Sequence, residues 1–131
     1  ISGASLTNLP SGVIKGYAAG NIDLTSSISA TGTSYVASGV TFAITATTSN
    51  SNMIVNCSGW TAHVNTTANT GATMKLYRKV NSGSYASVLS HTAGDVITYA
   101  IYYKPNNSAG GYFNHTGGMG SATMSWSILE V

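Results

Sequence analysis

Apolar and polar residues alternate with a period of two in several stretches of this 131-residue chain, most clearly from Ala122 to Val131. Ala122, Met124, Trp126 and Ile128 fall on one side of that stretch, and Thr123, Ser125 and Ser127 on the other. Successive side chains of a strand point to opposite faces, so the pattern predicts a strand with one buried and one wetted face. Phe42 and Ile44 set against Thr41, Ala43 and Thr45 repeat the scheme. Val96–Tyr103 differs. Val96, Ala100 and Tyr102 lie on one side, with Ile97, Tyr99, Ile101 and Tyr103 on the other, so both faces are apolar or aromatic. Such a strand is covered twice, and the second cover is either another layer of the same chain or a neighbouring subunit.

The same periodicity, bounded by Ser, Thr, Asn and Gly clusters, predicts strands at Val13–Ala18, Ser26–Ile28, Ser34–Ser38, Val40–Thr47, Met53–Val64, Ala72–Lys79, Tyr85–Ser90, Asp95–Tyr103 and Ala122–Val131. No apolar stripe with helical spacing lasts beyond one turn. Asn81-Ser82-Gly83 between two strand-like runs has the chemistry of a hairpin connection. Residues 1–12, which end in Pro10 and Gly12, read as a lead-in connector, and 13–131 as a single domain. Asn65–Gly71 and Pro105–Gly120 read as the long loops. Short strands with regular turn signals imply an all-β fold, a sandwich or a barrel.

Composition narrows what such a fold does. Hydrophobic residues make up 43% of the chain and charged residues 6%, against roughly 25% charged in an average soluble domain. This balance is the reverse of a disordered chain. The net charge is +2, and only Lys75, Arg78 and Lys79 cluster in sequence. Tracking a phosphate backbone takes about 6–10 contacts, so nucleic acid is not an expected partner. No apolar run reaches the ~18 residues of a membrane-spanning helix, and membrane insertion is not expected. The single cysteine, Cys57, sits in an apolar run and reads as a small core residue. Sequons at Asn56, Asn65, Asn106 and Asn114 are what chance gives in a chain so rich in Asn, Ser and Thr.

Catalysis finds little to work with, and the expectation is that the chain is not an enzyme. The acids are Asp23, Asp95 and Glu130. Asp95 follows Gly94 at a turn and Glu130 is penultimate, so neither reads as half of a carboxylate pair. No serine-hydrolase elbow, no HxH, no HExxH and no CxxC occurs, and no cofactor or metal is expected. His91 and Asp95 lie four apart across a turn, a weak sign of shared ligation. In a three-fold oligomer, a His near the axis is present three times and could hold an ion.

Recognition has one candidate stretch, Tyr112-Phe113-Asn114-His115, framed by glycine pairs. Aromatic faces beside amide and imidazole groups suit sugar rings or a protein surface. The same residues also read as a short strand that buries Tyr112 and Phe113, since Tyr and Phe are commonly buried. The first reading makes Tyr112, Phe113, Asn114 and His115, with Asn106 and Asn107, the contact residues for such a surface. It expects deletion of 106–111, or Ala at Tyr112 and His115, to abolish binding. The doubly apolar strand makes Ile97, Tyr99, Ile101 and Tyr103 the candidate oligomer interface.

Two stretches together resemble a known family. Gly3-Ala4-Ser5-Leu6-Thr7-Asn8-Leu9-Pro10 resembles the connectors that precede C-terminal domains of bacteriophage tail-fibre and related virion proteins. Thr33-Ser34-Tyr35-Val36, Val40–Thr45 and Asn52-Met53-Ile54-Val55, with the closing Thr123–Val131, resemble the compact β-domains of marine-phage structural proteins. The pattern departs at Asn52-Met53, where those domains carry Lys, and nothing between Lys79 and Gly120 matches. The resemblance implies an antiparallel, jelly-roll-like β-sandwich, a homotrimer, other virion proteins as partners and a place on a phage particle. It implies a receptor-binding domain that attaches to a host glycan or protein, or else a capsid decoration or fibre-stabilising domain with no receptor. It brings no catalytic residues.

Overall fold

A computed structural model describes residues 14–25, 28–31, 34–59, 62–64, 72–87, 89–106, 111–113 and 122–131. Among them the chain forms nine strands and no helix: β1 (Gly16–Leu24), β2 (Ile28–Ala30), β3 (Val36–Thr45), β4 (Met53–Ser58), β5 (Ala62–Val64), β6 (Ala72–Val80), β7 (Val96–Pro105), β8 (Gly111–Phe113) and β9 (Ala122–Glu130). Every pairing is antiparallel, in the orders β1-β9-β4, β2-β8-β5 and β3-β7-β6. These are three separate three-stranded sheets, and in sequence β1 is followed by β2, β4 by β5 and β8 by β9. The sheet β3-β7-β6 packs against the other two, which touch it through β1, β2, β5, β8 and β9. The fold is an all-β antiparallel sandwich, one of the two architectures that the periodicity left open.

The core lies between the layers, and the alternation predicts its members. Met124 and Ile128 of β9 are fully buried, and Phe42 and Ile44 of β3 nearly so. Removing each such side chain from water contributes roughly 1.5–3 kcal/mol. Trp126 stacks on Phe42 across the layers at 5.2 Å, and Phe42 on Tyr99 at 6.0 Å. Gly20 makes room for the indole, since a Cβ there would stand 3.0 Å from the ring. Tyr103 packs on Phe113 at 5.7 Å and donates its hydroxyl to the Ile28 carbonyl, tying the two layers at their far end.

Several strand boundaries differ from the pattern: β2 lies at Ile28–Ala30 and not at Ser26–Ile28, and β8 falls within the predicted loop Pro105–Gly120. The predicted Ser34–Ser38 and Val40–Thr47 are one strand, β3, with a bulge between Ala37 and Thr41. There Ser38 Oγ donates to the Ile101 carbonyl at 2.7 Å and accepts from Val40 N–H, standing in for lost ladder bonds. Met53–Val64 is instead two strands, β4 and β5, divided beside Gly59 with φ of +96°. Among its described residues, the segment predicted as Tyr85–Ser90 contributes one bridge, Ala86 to Arg78. The first strand lies later than predicted, at Gly16–Leu24, and pairs with β9 along its whole length.

The interface expected on β7 is corrected. Ile97, Tyr99, Ile101 and Tyr103 are 0–5% exposed within the chain's own core, so they form that core and do not meet a partner. The opposite side of β7 is half-covered by the chain's own tyrosines, described below. The lead-in 1–12 lies outside the described residues.

Candidate functional site

Strands β6 and β7 alternate in register, so their outward residues form one surface. Lys75 pairs with Tyr102, Tyr77 with Ala100, Lys79 with Thr98 and Thr73 with Lys104. Tyr85, from the segment bridged to β6, and Tyr35, just before β3, complete it. The rings of Tyr77 and Tyr102 meet edge to face at 4.8 Å, and those of Tyr85 and Tyr102 at 6.0 Å. Together Tyr35, Tyr77, Tyr85 and Tyr102 line a hollow of about 260 Å³. Three ammonium groups surround it. Lys75 Nζ lies 4.6 Å and Lys104 Nζ 5.1 Å from the Tyr35 ring centre, and Lys79 Nζ lies 5.1 Å from that of Tyr85. Each such contact contributes about 0.5–1 kcal/mol at an exposed site, enough to bias a lysine without consuming its charge.

The acids stand apart from this face. Asp23 accepts from Thr123 at 2.9 Å on β1–β9. Asp95 closes a turn, where a bond from the Thr92 backbone, then bonds from Asn81 and the Thr92 hydroxyl, hold its carboxyl below the usual range. Three of the chain's five cations thus gather over two of the four rings, Tyr35 and Tyr85, with no carboxylate beside them among the described residues.

Glu130 organises a second polar cluster, which its place in the sequence did not announce. The side chain is fully buried. Its carboxylate accepts from Ser51 Oγ at 2.7 Å, Thr48 N–H at 2.8 Å, Thr47 Oγ1 at 2.8 Å and Thr47 N–H at 2.9 Å. Burial by itself would raise this carboxyl, but the bonds from Ser51, Thr47 and Thr48 outweigh it and bring the pKa down to about 2. Gly16 stands against it, where a Cβ would come 2.7 Å from Oε2.

His91 Nε2 lies 3.1 Å from both Ser51 Oγ and the Thr48 carbonyl, giving Ser51, His91 and Glu130 the composition of a hydrolytic triad. The bonds run the wrong way for one. The carbonyl can only accept, so Nε2 carries the proton, while the serine proton points to the carboxylate. Ser51 therefore has no base to activate it, and a carboxyl at about 2 is a poor base near neutrality. The cluster ties the 47–51 turn to β9.

The sequence-predicted contact residues divide three ways. Phe113 is 1% exposed and belongs to the core, a correction to its expected role in recognition. Asn106 is exposed and accepts from Thr73 Oγ1 at 2.9 Å, which puts it at the Lys104 end of the tyrosine face. Tyr112 is placed by its backbone, between Ser29 and His63, while Asn107, Asn114 and His115 lie outside the described residues. The tyrosine face itself was overlooked in sequence, although Lys75, Tyr77 and Lys79, and again Tyr102 and Lys104, recur at the two-residue spacing of one strand face.

Another hollow, of about 620 Å³, lies on the outward side of β1-β9-β4. It is lined mainly by serine, asparagine and small residues that partly bond each other, as Ser125 Oγ does to Asn21 Oδ1 at 2.9 Å. It carries no charge, so the tyrosine face is the stronger candidate. The chain matches no family model, no curated protein and no solved structure.

Proposed function

We propose that this chain is a recognition domain of a virion surface, of tail-fibre or receptor-binding type, that attaches to an acidic glycan on the host through its tyrosine–lysine face. One observation carries the reading: four tyrosines form a hollow ringed by Lys75, Lys79 and Lys104. Sugar rings stack on aromatic faces, and carboxylate or sulfate groups on the sugar meet the ammonium groups. Three cations suit a few acidic sugar units and fall short of the 6–10 contacts typical of a phosphate backbone. The virion assignment, with the jelly-roll variant of the sandwich, rests on the resemblance of the Gly3–Pro10 connector and the β-domain segments. Calorimetric titration with an oligouronate and with a neutral dextran of equal length tests the glycan reading. It expects saturable, salt-sensitive heat from the first alone. Equal response to both, or to neither, counts against it.

A second reading, a structural domain that packs against copies of itself, is favoured by a different face. Tyr17, Leu129 and Ile54 stand side by side across β1, β9 and β4, with Tyr17 65% and Ile54 49% exposed. The expected homotrimer would use this row, since Ile97, Tyr99, Ile101 and Tyr103 of β7 lie in the core. Mass in solution distinguishes the two: a trimer that Tyr17→Ser and Ile54→Ser turn to monomer supports packing through this row.

A further inference from the structure

The sandwich is open where the edge strands β4 and β6 face each other across the layers. Leu76 and Arg78 pair in register with Ile101 and Tyr99, which belong to the core, so they lie on the inner side of β6. An arginine on the inner side of a strand is unusual, because a guanidinium taken from water needs partners for its five N–H groups. Arg78 has one such partner in the Tyr99 hydroxyl, while burial of that hydroxyl pushes its pKa up. Its Nε is buried with no hydrogen-bond partner among the described residues; Nδ1 of His91, an acceptor when Nε2 donates to the Thr48 carbonyl, is likewise unpartnered.

Both side chains line the same crevice of about 560 Å³. That crevice shares Val55 and Leu76 with an adjoining hollow of about 140 Å³, which Cys57, Met74 and Ile101 also border. The polar end thus adjoins a mainly apolar hollow, with Lys75 at its border. Glu130 cannot serve as the missing partner, because Ser51, Thr47 and Thr48 occupy its carboxylate. Asp95 is likewise held by Thr92 and Asn81. A guanidinium takes a carboxylate side-on through Nε and a terminal nitrogen, in charge-assisted bonds.

We infer that the crevice between β4 and β6 binds a small organic carboxylate with an apolar body, its head on Arg78 and its body along Val55 and Leu76. This site is separate from the tyrosine face and does not depend on it. Arg78 is the single arginine of the chain, so its Nε–H gives one assignable signal in a nitrogen-edited proton spectrum. Titration with octanoate should move that signal saturably, with octanol and inorganic sulfate each binding at least about tenfold more weakly. Arg78→Met, which keeps the length of the side chain, should reduce octanoate affinity by about tenfold or more, and Tyr102→Ala should leave it unchanged. An unmoved Nε signal, or sulfate binding as tightly as octanoate, overturns the assignment. The titration uses the unaltered protein, so it decides the matter even if Arg78→Met fails to fold.

Discussion

The Glu130 cluster and the tyrosine–lysine face are both concentrations of polar chemistry, and they use it in opposite ways. Glu130 is fully buried, and donors from Thr47, Thr48 and Ser51 fill its oxygens, leaving no capacity for a ligand. Among the described residues Lys75, Lys79 and Lys104 meet ring faces and no carboxylate, which leaves their N–H groups available at the surface. The lesson is that hydrogen-bond capacity already satisfied inside the chain marks stability, and capacity left open marks recognition. Residue type alone misleads: Ser51, His91 and Glu130 have the makings of a catalytic site and serve as a tie.

The contrast predicts a separation of effects. Glu130→Ala strands several buried donors and should cost about 3–5 kcal/mol, read by urea denaturation. The folded fraction should still bind an oligouronate. Retained stability would show that the donors find other partners and would end the distinction between the two clusters.

Acid should act on the same group. Its folded pKa of about 2 lies below the ordinary 4.5, so the unfolded chain takes up the proton first as pH falls. The stability that Glu130 contributes is therefore complete above pH about 4.5 and is lost progressively towards pH 2. Comparing acid unfolding of the natural chain with Glu130→Gln checks the sign, because the variant should lack most of this slope. Parallel curves for the two would contradict it.

On the other face, Tyr102→Ala removes the ring that touches both Tyr77 and Tyr85. Binding of the oligouronate should weaken by about 1–3 kcal/mol, as for loss of one stacking ring, with only a small change in urea midpoint. The smallest effect belongs to charge. Lys75→Gln with Lys104→Gln should weaken binding by about 1 kcal/mol and flatten its dependence on salt. A double variant as salt-sensitive as the parent would place the ionic contacts elsewhere.

Much of the scaffold was legible because its signals are local. Met124 and Ile128, like Phe42 and Ile44, face inward as two-residue alternation requires. Errors arose where distant residues decide. A break at Ser38–Gly39 reads the same whether a strand ends or bulges, and only the Ile101 carbonyl across the sheet makes it a bulge. Nothing beside Glu130 in sequence reveals that Thr47, Thr48 and Ser51, some 80 positions away, converge on it. The tyrosine face was half legible. Each strand shows its Lys–Tyr alternation, but the register of β6 with β7, and the arrival of Tyr35 and Tyr85, make a site of it.

A chemical-shift map of the chain titrated with an oligouronate tests the central claim most directly. The account predicts saturable shifts concentrated at Tyr35, Lys75, Tyr77, Lys79, Tyr85, Tyr102 and Lys104, with the signals of the 47–51 turn and Glu130 unmoved. Shifts concentrated instead at Tyr112, Asn114 and His115 would return recognition to the loops, and no saturable shifts at all would contradict glycan binding.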